Sequence, residues 1–318
     1  MNSIVLLDGY SLNPGDLSWN SLRSLAPLDL FDRTSPHELF DRCQSATIVL
    51  TNKTVLSAET LRKLPSLRFI SVLATGVNVV DVQAAAQQGI VVSNVPSYST
   101  DSVAQLTWAL LLELTHQVAL HAASVRQGDW SSSLDFSYRK TPLIELSGLT
   151  LGIVGLGAIG QKVAKIADAF GMKILSVERE RKLSLPFPVS YTSLETLFKS
   201  SDVLSLHAPL TQQTEKIVNS QTLSWMKPTA FLLNTSRGGL IDSEALAQAL
   251  ERKILAGAAL DVLESEPPSP SHPLLHSPHC LITPHIAWAT LAARKRLLDQ
   301  TVENVKAFIE GKPINVVT

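Results

Sequence analysis

The chain has 318 residues, which sets an expectation of two domains with a crevice between them. Lys and Arg number 27 and Asp and Glu 28, so a net charge of −1 leaves no basic excess for a nucleic-acid backbone or an anionic membrane surface. A 45% hydrophobic and 17% charged composition excludes a disordered chain.

Cys43 and Cys280 belong to no CxxC or Cys/His zinc pattern, so neither a disulfide framework nor a structural metal is expected. The apolar run Ile4 to Leu7 is too short for a signal peptide, and no stretch reaches the roughly 18 apolar residues of a membrane span. A soluble, cytoplasmic protein is the expectation.

In chain order, apolar runs at Ile4 to Leu7, Thr47 to Leu50, Arg68 to Leu73 and Ile90 to Ser93 read as strands. Helix signals separate them. Ser35-Pro36-His37-Glu38 has the form of a capping box with proline at the first helical position, and Asp81 to Gln88 stops at Gly89. Thr100 or Asp101 then caps a helical segment running to about Val125, followed by a loop from Gln127 to Pro142. A second alternation begins at Leu149. Its strands are expected at Leu151 to Val154, Lys173 to Val177, Val203 to Leu206, Phe231 to Asn234, Ala258 to Val262 and Leu281 to Thr283, with helices between them such as Ile159 to Phe170. A last helix spans Thr290 to Glu310, and its periodicity leaves open which domain it packs on. Such βαβ alternation predicts an α/β protein with parallel sheets.

Gly155-Leu156-Gly157-Ala158-Ile159-Gly160 is a GxGxxG placed directly after a strand and before a helix. There the first glycine makes the tight turn, the second admits a pyrophosphate, and the third allows close packing of helix on strand. Glu178 closes the following strand, where a carboxylate accepts the adenosine ribose hydroxyls. Arg179, Arg181 and Lys182 beside it leave NADP open alongside NAD.

Arg237, Glu266 and His285 each follow a predicted strand, and in a parallel sheet those positions share the edge that carries Gly155. An arginine there grips a carboxylate, a histidine exchanges a proton near neutral pH, and a glutamate orients the imidazole. A surface ion pair for Arg237 and an ordinary loop charge for Glu266 are the plainer alternatives. His272, His276 and His279 are separated by prolines, which fits a surface loop better than a metal site.

With these residues assembled, the chain resembles the D-isomer-specific 2-hydroxyacid dehydrogenase family over nearly its whole length. The resemblance is carried by Ala74-Thr75-Gly76-Val77-Asn78, Leu149 to Gly160, Ser205 to Thr211, Asn234-Thr235-Ser236-Arg237-Gly238, Leu260-Asp261-Val262, Glu266-Pro267 and Thr283 to Trp288. It implies two Rossmann-like, doubly wound parallel-sheet domains with an active-site cleft between them. Residues 1–99 and 287–318 would form a flavodoxin-like substrate-binding domain and residues 100–286 an NAD-binding domain.

The resemblance also implies roles for individual residues. Arg237 would be the substrate-binding arginine, Glu266 the glutamate before proline and His285 the acid/base histidine. Thr75, Gly76, Val77 and Asn78 would receive the substrate carboxylate. His207, Thr235, Ser236 and Asp261 would join Gly155, Gly157, Ala158, Ile159, Gly160 and Glu178 around the cofactor, with Asp261 on the nicotinamide carboxamide. Trp288 either limits the space beyond C2 of the substrate or packs a hinge. A homodimer built on the cofactor domain is the implied assembly.

Within the family, Asp8-Gly9-Tyr10, Asn13 to Asp16 and His285 to Thr290 are most similar to the bacterial branch that interconverts hydroxypyruvate and D-glycerate. Glyoxylate, pyruvate and 3-phosphohydroxypyruvate are the alternative substrates, and an NADH-binding regulatory protein of the corepressor kind is the alternative class. Formate dehydrogenases carry glutamine where Glu266 stands, which argues against that branch.

Overall fold

A computed structural model describes residues 2–177 and 184–318. The chain divides into two compact units, residues 1–99 with 289–318, and residues 100–288.

The first unit is built on a five-stranded parallel sheet of β1 (Ile4–Leu6), β2 (Leu28–Leu30), β3 (Ile48–Thr51), β4 (Phe69–Val72) and β5 (Val91–Ser93), ordered β2-β1-β3-β4-β5. β1, β3 and β4 are buried throughout, which is why their sequences read as unbroken apolar runs instead of alternating ones. Asp81 caps the helix Val82–Gln87 by accepting from Ala84 N–H, and Gly89 at φ 69° turns the chain into β5. The expected box at Ser35 is only partly made. Ser35 N–H donates to the Glu38 carboxylate at 3.0 Å, but residues 36–38 form a turn and the helix begins at Leu39. The last helix, Leu291–Ile309, belongs to this unit: Phe308 stacks on Phe69 with ring centroids 4.5 Å apart, and Asn304 Nδ2 donates to Asn94 O.

The second unit carries a seven-stranded parallel sheet. Its strands are β6 (Thr150–Val154), β7 (Lys173–Val177), β8 (Ser190–Tyr191), β9 (Val203–Leu206), β10 (Phe231–Asn234), β11 (Gly257–Leu260) and β12 (Cys280–Ile282), ordered β12-β11-β10-β9-β6-β7-β8. The order reverses between β6 and β9, and a ligand crevice opens at the carboxyl ends of strands at such a point. One helical expectation changes. The segment after Thr100 is two helices, Thr100–His116 and Val118–Arg126, because Gln117 adopts a left-handed backbone (φ 45°) that turns the second helix away. Two strands escape sequence reading, β2 and β8, both short edge strands that carry no pattern. Among the described residues no helix is long and apolar enough to cross a membrane.

Candidate active site

Because every strand of the second sheet runs the same way, the residues that leave β6, β9, β10, β11 and β12 emerge on one edge. Gly155 leaves β6, His207 leaves β9, Thr235 to Arg237 leave β10, Asp261 leaves β11, and His285 follows β12 by three residues.

The turn after β6 is shaped by its glycines. Gly155 lies at φ 94°, and a Cβ there would stand 2.6 Å from Ala208 N and 2.7 Å from His207 C, so only glycine fits against the β9 exit. At Gly160 a Cβ would fall 2.2 Å from Gly155 O, which fixes the close approach of helix Ala158–Ala169 to the turn. Gly157, the residue before that helix, has open space where a Cβ would be. Ala158 and Ile159 open the helix, whose first N–H groups have no partners within it.

His207 has a buried ring that burial pushes down to about pH 4 in pKa, so it is neutral at physiological pH. Its Nε2 pairs with Ser205 Oγ at 2.8 Å, and its Nδ1 is buried without a partner among the described residues. An open glycine at a helix start and, on the same sheet edge, a buried imidazole nitrogen with no partner among the described residues fit a dinucleotide, whose pyrophosphate would meet the free helix N–H groups and whose hydroxyl or amide groups would meet the imidazole. Among the described residues, Gly155, Gly157, Ala158, Ile159, Gly160 and His207 could hold it. Glu178 lies outside the described residues.

Glu266 and His285 form the central pair, with Nδ1 of the imidazole 2.6 Å from Oε2 of the carboxylate. The other carboxylate oxygen of Glu266 accepts from Leu263 N–H at 3.0 Å. Burial pushes the Glu266 carboxyl up, but the hydrogen bond and charge of His285, the Leu263 N–H and the charge of Arg237 outweigh it and hold the pKa below the usual value. The Nδ1 contact leaves Nε2 of His285 as the nitrogen available to another molecule.

The backbone at His285 is in the left-handed region, φ 53°, which non-glycine residues rarely adopt. Asp261, buried at the end of β11, imposes it. Its main-chain oxygen accepts from His285 N–H at 2.8 Å, while its carboxylate accepts from Thr283 Oγ1 (2.6 Å), Ile286 N–H (2.9 Å) and Ala287 N–H (2.8 Å). Both carboxylate oxygens are thus engaged by the segment that carries His285, a role that sequence reasoning missed. Burial raises the Asp261 pKa against the lowering effect of those donors and of His285. Ser102 Oγ, near the start of helix Thr100–His116, donates to Ala287 O at 2.5 Å and holds the same segment from the other side.

Arg237 is half-buried, with Nη1 donating to Ser236 O at 2.7 Å. Asn234 shapes its turn: Oδ1 accepts from Ser236 N–H and Oγ, and Nδ2 donates to Arg237 O. The hydroxyl of Thr235 lies 2.9 Å from that of Thr107, with both buried.

The remaining expected residues lie elsewhere or differ in detail. Thr75, Gly76, Val77 and Asn78 follow β4 in the first unit, where Thr75 Oγ1 donates to Val95 O and Asn94 Nδ2 to Thr75 O. Trp288 sits in a turn, because the following helix starts only at Leu291. The histidine loop also needs correction. His276 and His279 are exposed, but His272 is buried and bonded to Glu264, so it is no surface-loop residue. No cluster of metal-ligating side chains occurs among the described residues.

An open Gly-rich turn at the switch point of a parallel sheet, sharing its edge with an imidazole–carboxylate pair and an arginine, defines a nicotinamide-nucleotide-dependent oxidoreductase. Residues 108–287 match the family described as "D-isomer specific 2-hydroxyacid dehydrogenase, NAD binding domain". The chain is 46% identical over 318 residues, 99% of each chain, to "Hydroxypyruvate reductase" of Blautia hydrogenotrophica. It is 43% identical over 286 residues, 89% of each chain, to "Glycerate dehydrogenase" of Methylorubrum extorquens. The structure of D-lactate dehydrogenase from Aquifex aeolicus with NAD and lactic acid superposes with a TM-score of 0.84 at 31% identity, covering 98% of this chain and 96% of that one. The chain belongs to the D-isomer-specific 2-hydroxyacid dehydrogenase family. It is an NAD(P)-dependent enzyme that interconverts a small 2-oxo acid and its D-2-hydroxy acid.

Gly157→Ala tests the dinucleotide turn directly, because φ is −71° there and a methyl group meets no atom of the described residues. The variant should keep the thermal stability of the wild type yet bind NADH at least about tenfold more weakly, a loss of roughly 1.4 kcal/mol, by fluorescence titration. Unchanged affinity would mean that the pyrophosphate does not lie over this glycine.

Proposed function

We propose that the chain is an NADH-dependent hydroxypyruvate reductase with His285 as proton donor, Glu266 as its orienting partner and Arg237 as the substrate-binding cation. The 2.6 Å contact between His285 Nδ1 and Glu266 Oε2, on the edge that also presents the glycine turn and Arg237, carries this reading. The bound nicotinamide supplies a hydride to C2 of the 2-oxo acid. His285 then delivers a proton from Nε2 to the oxygen on C2, Glu266 holds the ring, and Arg237 grips the carboxylate and polarises the carbonyl. In the reverse direction His285 accepts the proton from the hydroxyl of the D-2-hydroxy acid.

Hydroxypyruvate is favoured by the relatives at 46% and 43% identity, a hydroxypyruvate reductase and a glycerate dehydrogenase. Trp288 is proposed to limit the space beyond C2, which disfavours long side chains. NADH is proposed over NADPH because a carboxylate at Glu178 repels a 2′-phosphate, a juxtaposition that costs up to several kcal/mol. Two thiols that form no disulfide, Cys43 and Cys280, suit the reducing cytoplasm.

One kinetic series decides this reading. His285→Ala should lower kcat by about 10² to 10⁴ while NADH still binds. The wild type should turn over hydroxypyruvate faster, in kcat/KM, than glyoxylate, pyruvate or phenylpyruvate, and faster with NADH than with NADPH. Near-wild-type turnover by His285→Ala would move the proton donor elsewhere, and a preference for phenylpyruvate would overturn the substrate.

A homodimer is proposed as the working assembly. Its support is the apolar surface of helix Val118–Arg126, where Val118, Leu120 and Val125 are exposed, and of the following loop, where Trp130, Leu134 and Phe136 are exposed. Sedimentation should give twice the mass of one chain, and Leu134→Asp with Phe136→Asp should give a monomer. A monomeric wild type would sink the proposal.

A further inference from the structure

The pair at the centre of the site is not deeply buried: the side chain of His285 is 41% exposed and that of Glu266 36%. A contact between two side chains this exposed contributes little by itself, so the backbone has to impose its geometry. On the His285 side Asp261 does so. On the Glu266 side the Leu263–Glu264 peptide, which leads into Glu266, packs against Gly238, the residue after Arg237. A Cβ on Gly238 would fall 1.9 Å from Leu263 C and 2.3 Å from Glu264 N.

Two residues before Glu266, the side chain of Glu264 reaches two other parts of the chain. Its Oε2 accepts from Ser243 Oγ at 2.6 Å, and both its oxygens lie 3.2 Å from His272 Nε2. The tautomer of His272 follows from its second nitrogen, because Nδ1 accepts from Leu274 N–H and the proton therefore sits on Nε2, aimed at Glu264. Ser243 is the first residue of helix Ser243–Glu251, and His272 caps the single turn Pro273–His276. Both are buried. Three segments therefore meet on one carboxylate. Burial raises the pKa of that carboxyl, but the donations from Ser243 and His272 more than offset it and leave it below the usual value.

We propose that Glu264 is a positioning residue for the reaction: with Ser243 and His272 it fastens the turn that presents Glu266 to His285 and lays that turn against Arg237–Gly238. This deepens the assignment of Glu266 as orienting partner and rests on it. The side chain of Glu264 is bonded to Ser243 and His272 and not to Glu266, His285 or Arg237, so its effect reaches the chemistry through the position of the turn that carries Glu266. The charged groups acting on Glu266 are His285 and Arg237, and loosening the turn weakens the influence of both.

The test compares wild type, Glu264→Ala, Glu264→Gln and Ser243→Ala. It measures the Glu266 carboxyl titration by ¹³C NMR, assigned with Glu266→Gln, the pH profile of kcat/KM for hydroxypyruvate, and the KM for NADH. In Glu264→Ala the Glu266 titration should rise toward that of a free carboxylate. The acidic limb of kcat/KM should move to higher pH with it, because the ionised Glu266 is then lost sooner as pH falls. kcat should drop by about tenfold to a hundredfold, a cost typical of a small misplacement, while KM for NADH stays unchanged. Glu264→Gln, which still accepts from Ser243, should fall between the two, and Ser243→Ala gives the same reading where Glu264→Ala fails to fold. A lowered melting temperature with an unmoved Glu266 titration and acidic limb would overturn the proposal and leave the cluster a stabiliser. A wild type without turnover would remove the reading of the site as a reductase, and the carboxyl titration would still decide whether Glu264 positions Glu266.

Discussion

Parallel pairing of β12-β11-β10-β9-β6 is the constraint from which the site follows. In a parallel sheet each strand must be re-entered from the opposite end, so every carboxyl end opens on the same edge, and residues far apart in sequence become neighbours there. Gly155 and His285 share that edge although most of the second unit separates them in sequence. The order reversal between β6 and β9 then leaves the Gly155 turn uncovered by a crossing connection. The contact of Gly155 with His207 and Ala208 is the local mark of that reversal.

On this edge the polar groups that shape loops and those that face a ligand are different side chains. Asp261, Asn234 and Ser102 direct their donors and acceptors into the protein, where they fix the backbone of the segments that carry His285 and Arg237. The exposed ends of His285 and Arg237 are thereby left for chemistry. The strained, left-handed backbone at His285 is held by Asp261, which accepts from the N–H groups of His285, Ile286 and Ala287, while Glu266 orients the ring. Functional geometry of this kind depends on supporting contacts more than on the reactive groups themselves.

How much of this was legible in the sequence depends on whether the cause is local. β1, β3, β4, β9 and β10 stand out because burial on both faces demands continuous apolar residues, whereas edge strands β2 and β8 face no such demand and leave no trace. The Gly155 turn is readable because close approach there excludes every side chain. Glu266 and His285 could be placed at strand ends, but their pairing depends on the parallel order of β11 and β12. The break at Gln117 carries no signature, since glutamine has no preference for the left-handed conformation that it adopts. Glu264, Ser243 and His272 were invisible for another reason: their meeting is set by how three loops pack, and the prolines around His272 disguise a buried residue as a surface one.

If this edge works as its geometry suggests, hydride goes to C2 of a 2-oxo acid and a proton to its oxygen, with D stereochemistry in the product. The most direct measurement reduces hydroxypyruvate with NADH deuterated at C4 of the nicotinamide, on the face that is transferred, and analyses the glycerate by mass spectrometry and chiral chromatography. One deuterium at C2 and exclusively D-glycerate are expected. Product without deuterium at C2, L-glycerate, or stoichiometric NADH binding without any turnover would contradict it.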